Sequence, residues 1–297
     1  MKLLFKNFYS IILFIPGIKY FLLYLMSHVT HRRQGIPDAL GVALKYKPLT
    51  QVGCTKSATP LASSCVALVT TAGYYVKGQE PFDEHKIGGD FSYRSIPKDI
   101  PLPNLVPAQY TIDRRTALLD TNTLFPIDRL KELKEQGCIR EVANTHYSFY
   151  SYSSSANRVR EGSAKDVARR LRYEGVDKAV IITATPLSQE IAFLVQRSIE
   201  EEGIQTVSIG YSQHAIEALK PPRTCVLTRG ALCRLDEYLD VTLQMNLLTF
   251  LLSQFNKLQA QNSIEKIVNT VASIDPAAKP VVQTRLDKSK IQRDLFE

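Results

Sequence analysis

Along the chain, short apolar runs alternate with stretches whose apolar residues recur every three or four positions. "CVALVT" (65–70) and "KAVIITA" (178–184) are largely apolar runs of strand length, as strands buried on both faces require, and "QTVSIGY" (205–211) and "RTCVLT" (223–228) read as further strands. "NTHYSFYSY" (144–152) is rich in aromatic and β-branched residues and reads as a further strand. Between them the period changes. "FPIDRLKELKEQG" places Leu130 and Leu133 on one face, has Asp128 near its start, and stops at Gly137. "AKDVARRLRYEG" ends at Gly175, and "LSQEIAFLVQRSIEEEG" sets Ile191, Leu194, Val195 and Ile199 on one face before Gly203. "SQHAIEALK" is a short helix, and "LDEYLDVTLQMNLLTFLLSQFNKLQAQ" a long one.

Strands separated by helices of this length predict an α/β fold. The expected form is an open, mainly parallel, doubly wound sheet with helices on both faces and a long C-terminal helix. Residues 65–258 form the expected domain. Residues 31–64 have little periodicity and read as a linker, and 259–297 as a polar tail. Residues 77–112, rich in Gly, Pro and Asp, make a long loop, which inside a compact domain is functional or disordered.

The first thirty residues stand apart. "FYSIILFIPGIKYFLLYLM" (8–26) is apolar, but Pro16 and Lys19 interrupt it and no small-residue cleavage site follows. An apolar helical extension packed on the domain, or attachment to a membrane surface, fits better than an uninterrupted span.

Composition alters this picture little. With 44% hydrophobic and 22% charged residues the 297-residue chain is an ordinary folded protein. The net charge of +8 is scattered among acids, as in "DRLKELKEQG", so a nucleic-acid partner is not expected. Five cysteines (Cys54, Cys65, Cys138, Cys225 and Cys233) show neither C-x-x-C nor zinc spacing. Reduced thiols in a cytoplasmic protein, with no metal and no cofactor, are the expectation.

Chemistry in such sheets collects beyond the carboxyl ends of the strands. "TATPLSQE" (183–190) ends one strand and starts a helix, with Thr185 as N-cap and Pro186 at the first position. Thr70, Thr71 and Gly73 end another strand in a small-residue turn suited to an anion. His146 is a candidate base at a strand end, and reads more readily as a structural histidine with a backbone partner. Ser188 with His146 is a candidate nucleophile–base pair. In the long loop, Asp90, Tyr93 and Arg94 are ligand-binding candidates. Arg94 suits a carboxylate, and an Asp–Arg pair pinning the loop is the alternative.

Four blocks make a more specific pattern: "CVALVTTAGYYVKGQEPFD" (65–83), "GGDFSYRSIPKD" (88–99), "LDTNTLFPIDRLKELKEQGCI" (119–139) and "DKAVIITATPLSQEIAFLVQRSIEEEGIQTVSI" (177–209). With the weaker "LKPPRTCVL" (219–227), the chain resembles the selenoprotein B family of glycine, sarcosine, betaine and D-proline reductases. The resemblance implies dithiol-dependent reductive cleavage at an amine carbon, a small amine or carboxylate ligand, a thioredoxin-type donor and a partner reductase subunit. It also implies a redox motif of selenocysteine or cysteine followed by Pro-Leu-Cys. Here that motif reads Thr185-Pro186-Leu187-Ser188, with oxygen at both redox positions. Cys225 and Cys233 are candidate substitute thiols. Two readings stay open: a divergent reductase, or a non-catalytic ligand-binding or scaffold protein.

Overall fold

The computed structural model describes residues 48–50, 52–57, 59–86, 89–108, 112, 114–152, 156–227, 240–257 and 263–267. The apolar extension 1–30, most of the expected tail and Cys233 lie outside the described residues.

The sheet is built as the apolar runs require. The strands are β1 (Cys65–Thr70), β3 (Tyr93–Pro97), β5 (Glu141–Val142), β6 (Thr145–Phe149), β7 (Lys178–Ile182), β8 (Gln205–Gly210), β9 (Arg223–Leu227) and β10 (Ser263–Ile267). Their order is β10-β9-β8-β7-β1-β6-β3, with β5 also on β1. All pairs in this sheet are parallel except β3 on β6. A separate two-stranded ribbon joins β2 (Tyr75–Val76) to β4 (Leu105–Val106).

Among the described residues, six α-helices longer than one turn lie around the sheet: α1 (Arg114–Leu119), α2 (Ile127–Glu135), α3 (Ala164–Tyr173), α4 (Gln189–Glu201), α5 (Gln213–Leu219) and α6 (Val241–Lys257). A single turn at Ala156–Arg158 and a π-helical turn at Val159–Ser163 lead into α3. Gly137, Gly175 and Gly203 follow α2, α3 and α4 with φ of 71°, 76° and 81°, the left-handed stop that their sequence positions predict.

Alternation along each buried strand feeds two cores. Val66 and Leu68 of β1, with Val180 and Ile182 of β7, meet Leu130 and Leu133 of α2 and Leu247, Leu248 and Leu251 of α6. Ala67 and Val69, with Ala179 and Ile181, meet Val167 and Leu171 of α3, Ile191 and Val195 of α4, and Ile216 of α5. A strand buried on both faces therefore needs apolar residues at every position, which is why these segments read as runs.

Three features differ from the sequence expectation. The long loop contributes β3, which pairs Tyr93–Pro97 antiparallel with Phe149–Thr145 and makes the sheet mixed. Beyond β9, the stretch read as tail supplies the edge strand β10. The stretch read as linker is docked where described: Leu49 N–H donates to Ala218 O, and Arg197 Nη2 to Thr50 O at 2.6 Å. Periodicity misses all three because short edge strands and backbone-held segments bury little apolar surface. Among the described residues, no helix is long and apolar enough to cross a membrane.

Candidate functional site

The topology selects one end of the sheet. Chain order runs outward from β1 to β6 on one side, then returns to β7 on the other side and continues through β8, β9 and β10. The direction of winding changes between β1 and β7, and ligands of doubly wound sheets bind beyond the carboxyl ends of the strands at such a switch. β1 ends at Thr70 and β7 at Ile182. Thr71 and "TATPLS" therefore meet there, and the Thr71 N–H donates to Ile182 O at 3.1 Å.

Thr71 is the hub of this corner. Its Oγ1 donates to Ser188 Oγ at 2.8 Å and accepts the Ala184 N–H at 3.0 Å, while its carbonyl accepts from Ser151 Oγ at 2.6 Å. Ser188 Oγ in turn donates to Thr185 O at 2.9 Å and accepts the Thr185 N–H at 3.1 Å. Pro186–Ser188 form a 3-10 turn before α4. Thr185 is the N-cap with Pro186 following it, as expected, and Ser188 reaches back to the Thr185 backbone as in a capping box, while Thr185 Oγ1 is buried without a hydrogen bond of ordinary geometry. Such an orphan is uncommon, because a buried hydroxyl without a hydrogen bond carries its full desolvation cost.

Two further groups border this corner. Glu190, the second residue of α4, is half-buried, and burial pushes its carboxyl up to about 7. Tyr152, just past β6, is raised by burial and then by the Glu190 charge. Neither signals itself in the sequence, where Glu190 is an ordinary first-turn acid and Tyr152 one of many aromatics.

The remaining candidates serve the scaffold. His146 Nδ1 accepts the Leu68 N–H at 2.9 Å, filling the gap in the ladder between β5 and β6, and its ring meets Phe125 edge-on at 5.6 Å. Burial, then the charges of Lys131 and Lys98, hold it down to about 3, so the ring is neutral at physiological pH. Its recorded partner is β1 backbone, and Ser188's proton is committed to Thr185 O, so the expected Ser188–His146 pair is not formed. Thr70 Oγ1 donates to Leu124 O at 2.8 Å. Gly73, with φ of 71°, exchanges backbone hydrogen bonds with Phe149 and Ala108, and a Cβ there would lie 2.7 Å from Ala108 Cβ.

In the loop, Asp90 accepts from Ser92 N, Ser92 Oγ and Asp83 N. Burial opposes ionisation, but these bonds together with Arg94 hold its carboxyl below the usual range. Arg94 donates to Glu80 O, Pro81 O, Tyr93 O and Ser92 Oγ, and its guanidinium lies 4.3 Å from the Phe82 ring centre. Tyr93 donates to Asp166 Oδ2, and burial, followed by that bond, raises its phenol to about 12. Asp90 and Arg94 hold the loop through Ser92 and backbone groups rather than through a direct Asp–Arg hydrogen bond, and Tyr93 ties it to α3 through Asp166.

Cys225 is buried in the β9 core beside Val207, Ile209 and the α6 leucines rather than at a strand end. Cys65, at the opposite end of β1, has its thiol pushed up to about 11 by burial. Among the described residues no three His, Cys, Asp or Glu side chains cluster closely enough to hold a metal.

Comparison with known proteins identifies this arrangement. Residues 44–185 match the family model of glycine/sarcosine/betaine reductase selenoprotein B. The chain belongs to the selenoprotein B family. It is 31% identical over 163 residues to D-proline reductase subunit gamma of Acetoanaerobium sticklandii, a match covering 55% of this chain and 66% of that protein. It is 27% identical over 150 residues to the glycine reductase complex component B subunit gamma of Carboxydothermus hydrogenoformans, covering 50% of this chain and 34% of that one. The chain thus spans about two thirds of the first relative's length and about a third of the second's. No solved structure matches it. Both relatives are named as subunits, and the family match ends at Thr185, the residue that opens the corner.

Proposed function

We propose that this chain is a reductase-type subunit that holds a small amine or carboxylate ligand at the β1/β7 corner without performing the dithiol redox step itself. The observation that carries this reading is the hydroxyl chain Thr71–Ser188–Thr185. It occupies the positions where the family resemblance puts the redox pair; the Thr71 and Ser188 hydroxyls are committed to one another and to the Thr185 backbone, while the Thr185 hydroxyl has no hydrogen-bond partner. A hydroxyl has no accessible disulfide state, so two electrons cannot be passed to a dithiol donor through this pair. The core position of Cys225 gives no replacement there. The partner is a second reductase subunit, by analogy with relatives that carry subunit names.

The test is thermal-shift screening with D-proline, sarcosine and glycine betaine, followed by a turnover assay with dithiothreitol. Binding without consumption is expected. Consumption by the unaltered chain would refute the non-redox reading, and Cys225→Ser and Cys233→Ser would then locate the thiol. Turnover gained only by Thr185→Cys with Ser188→Cys would show that the corner is otherwise competent.

A further inference from the structure

The outer face of α3 carries a surplus of positive charge. Between Arg158 and Arg172 the chain places six basic residues against two acidic ones, a net +4 that is half of the whole chain's +8. Charge that reads as scattered along the sequence therefore gathers on one helical stretch, from the turn at Ala156–Arg158 through the π-turn into α3. Arg158, Arg169, Arg170 and Arg172 are all exposed. The long loop extends the same surface. Phe91 has Lys86 Nζ 4.1 Å and the Arg158 guanidinium 5.0 Å from its ring centre. Tyr93 donates to Asp166, which also accepts from Arg170 Nε at 3.0 Å. At the last position of α3 stands Tyr173, 96% exposed, the most exposed of the large apolar side chains among the described residues.

We propose that this face is the docking surface for an acidic protein partner. The inference rests on the reading above that the chain works beside a second subunit, and adds where that subunit sits and what charge it presents. Opposite charge across an interface steers the encounter and fixes the register. Arginine and tyrosine are enriched at interfaces and among the residues that carry their binding energy. From Arg158 to Tyr173 the helical rise gives about 24 Å, on the scale of a standard interface. The mixture of signs selects a protein over other anions. Glu161 is bonded to Arg160 at 2.7 Å and to Lys165 at 2.5 Å, and Asp166 to Arg170, so two carboxylates are fixed within the face. A nucleic-acid backbone or an anionic lipid layer presents one sign only and is repelled by both carboxylates. A folded partner can set its own cations against them. The face begins beyond the carboxyl end of β6, where β3 pairs Tyr93 with Phe149, so a docked partner borders the end of the sheet that carries the Thr71–Ser188 corner.

The test is cross-linking of the full chain, carrying the photoreactive residue p-benzoylphenylalanine at position 173, in an extract of its native host. Irradiation should attach one protein of net negative charge, identified by mass spectrometry. The same photoreactive residue at position 249, exposed on α6, should not capture it. Arg158→Glu with Arg169→Glu should cut the adduct about tenfold, and so should raising the extract to about 0.5 M salt before irradiation. The salt arm uses the unaltered arginines and decides the matter if the double variant does not fold. An acidic partner that is not a reductase subunit keeps the docking surface and removes the subunit reading. An adduct with a neutral or basic protein, one captured equally from position 249, or one that survives charge reversal overturns the surface and leaves the subunit reading standing. No protein adduct overturns the proposal. Phosphatidylserine vesicles or a short DNA duplex, bound by the unaltered chain and not by the double variant, would then assign the face to a membrane or to nucleic acid instead.

Discussion

The two ends of the parallel sheet handle buried polarity in opposite ways. At the amino end, Arg223 and Glu200 form an ion pair at 2.5 Å with both side chains fully buried, within a network of further hydrogen bonds. Glu200 accepts from Thr55 N, Thr206 N and Thr206 Oγ1, Arg223 donates to Thr55 O, and Lys178 Nζ donates to Gln205. The docked segment 48–57 closes over this cluster. At the carboxyl end, the Thr71–Ser188 chain stops short: among the described residues Thr185 Oγ1 has no hydrogen-bond partner and no cationic side chain pairs with Glu190. A closed network holds a chain in place, whereas an incomplete one leaves groups for a ligand to satisfy. The difference separates a closed end of the domain from a less completely bonded one.

Breaking the closed end should cost most. Arg223→Met leaves Glu200 buried without its counter-charge and should destabilise the fold by about 3–5 kcal/mol in denaturant titration. A loss below about 1 kcal/mol would mean that segment 48–57 opens freely and lets water reach Glu200. At the carboxyl end, Gly73→Ala adds strain at positive φ and a contact of 2.7 Å with Ala108, for an expected loss of about 2–3 kcal/mol by the same measurement.

The sequence made the central architecture legible and the polar accounting illegible. β1, β7, β8 and β9 are buried on both faces, so their apolar runs announce them, and glycines mark the helix ends. β3 and β10 lie at the edges of the sheet as short strands with apolar and polar residues mixed, as "YRSIP" and "SIEKI" show, and carry no such run. The turn 183–188 was readable as a strand-to-helix junction because Pro186 and the following amphipathic period define it. That Ser188 Oγ also takes a hydrogen bond from Thr71, more than a hundred residues away, was not. The role of His146 is likewise set by a gap in the β1 ladder, and the unanswered charge of Glu190 by what Tyr152 and the π-turn cover. Pairings at that separation leave no local trace.

Glu190 tests the carboxyl end through pH. Its folded-state pKa is raised above the unfolded one, so the protonated form is buried without penalty at acid pH. From about pH 4.5 to 7 the unfolded chain ionises while the folded carboxyl keeps its proton, and stability falls as pH rises before levelling off. Glu190→Gln should therefore stabilise the ligand-free protein by about 2 kcal/mol at pH 8 and by almost nothing at pH 4.5, read as the difference between unfolding curves. A stability increment independent of pH would mean that the carboxyl titrates as an exposed one.

The smallest expected effect is the most discriminating. Thr185→Val keeps the side-chain volume and removes only a hydroxyl that the protein leaves unpaired, so unfolding should change by less than about 1 kcal/mol and toward stabilisation. Thr71→Val is the matched control: it deprives Ser188 Oγ of a donor and Ala184 N–H of an acceptor, and should cost about 1–2 kcal/mol. The two threonines lie on the same corner, are buried to the same degree and differ only in whether their oxygens are used. If both substitutions destabilise equally, the Thr185 hydroxyl has a partner in solution and the carboxyl end is as closed as the amino end. If only Thr71→Val does, the orphan is real, and Thr185→Val should weaken a bound ligand while leaving the empty fold untouched.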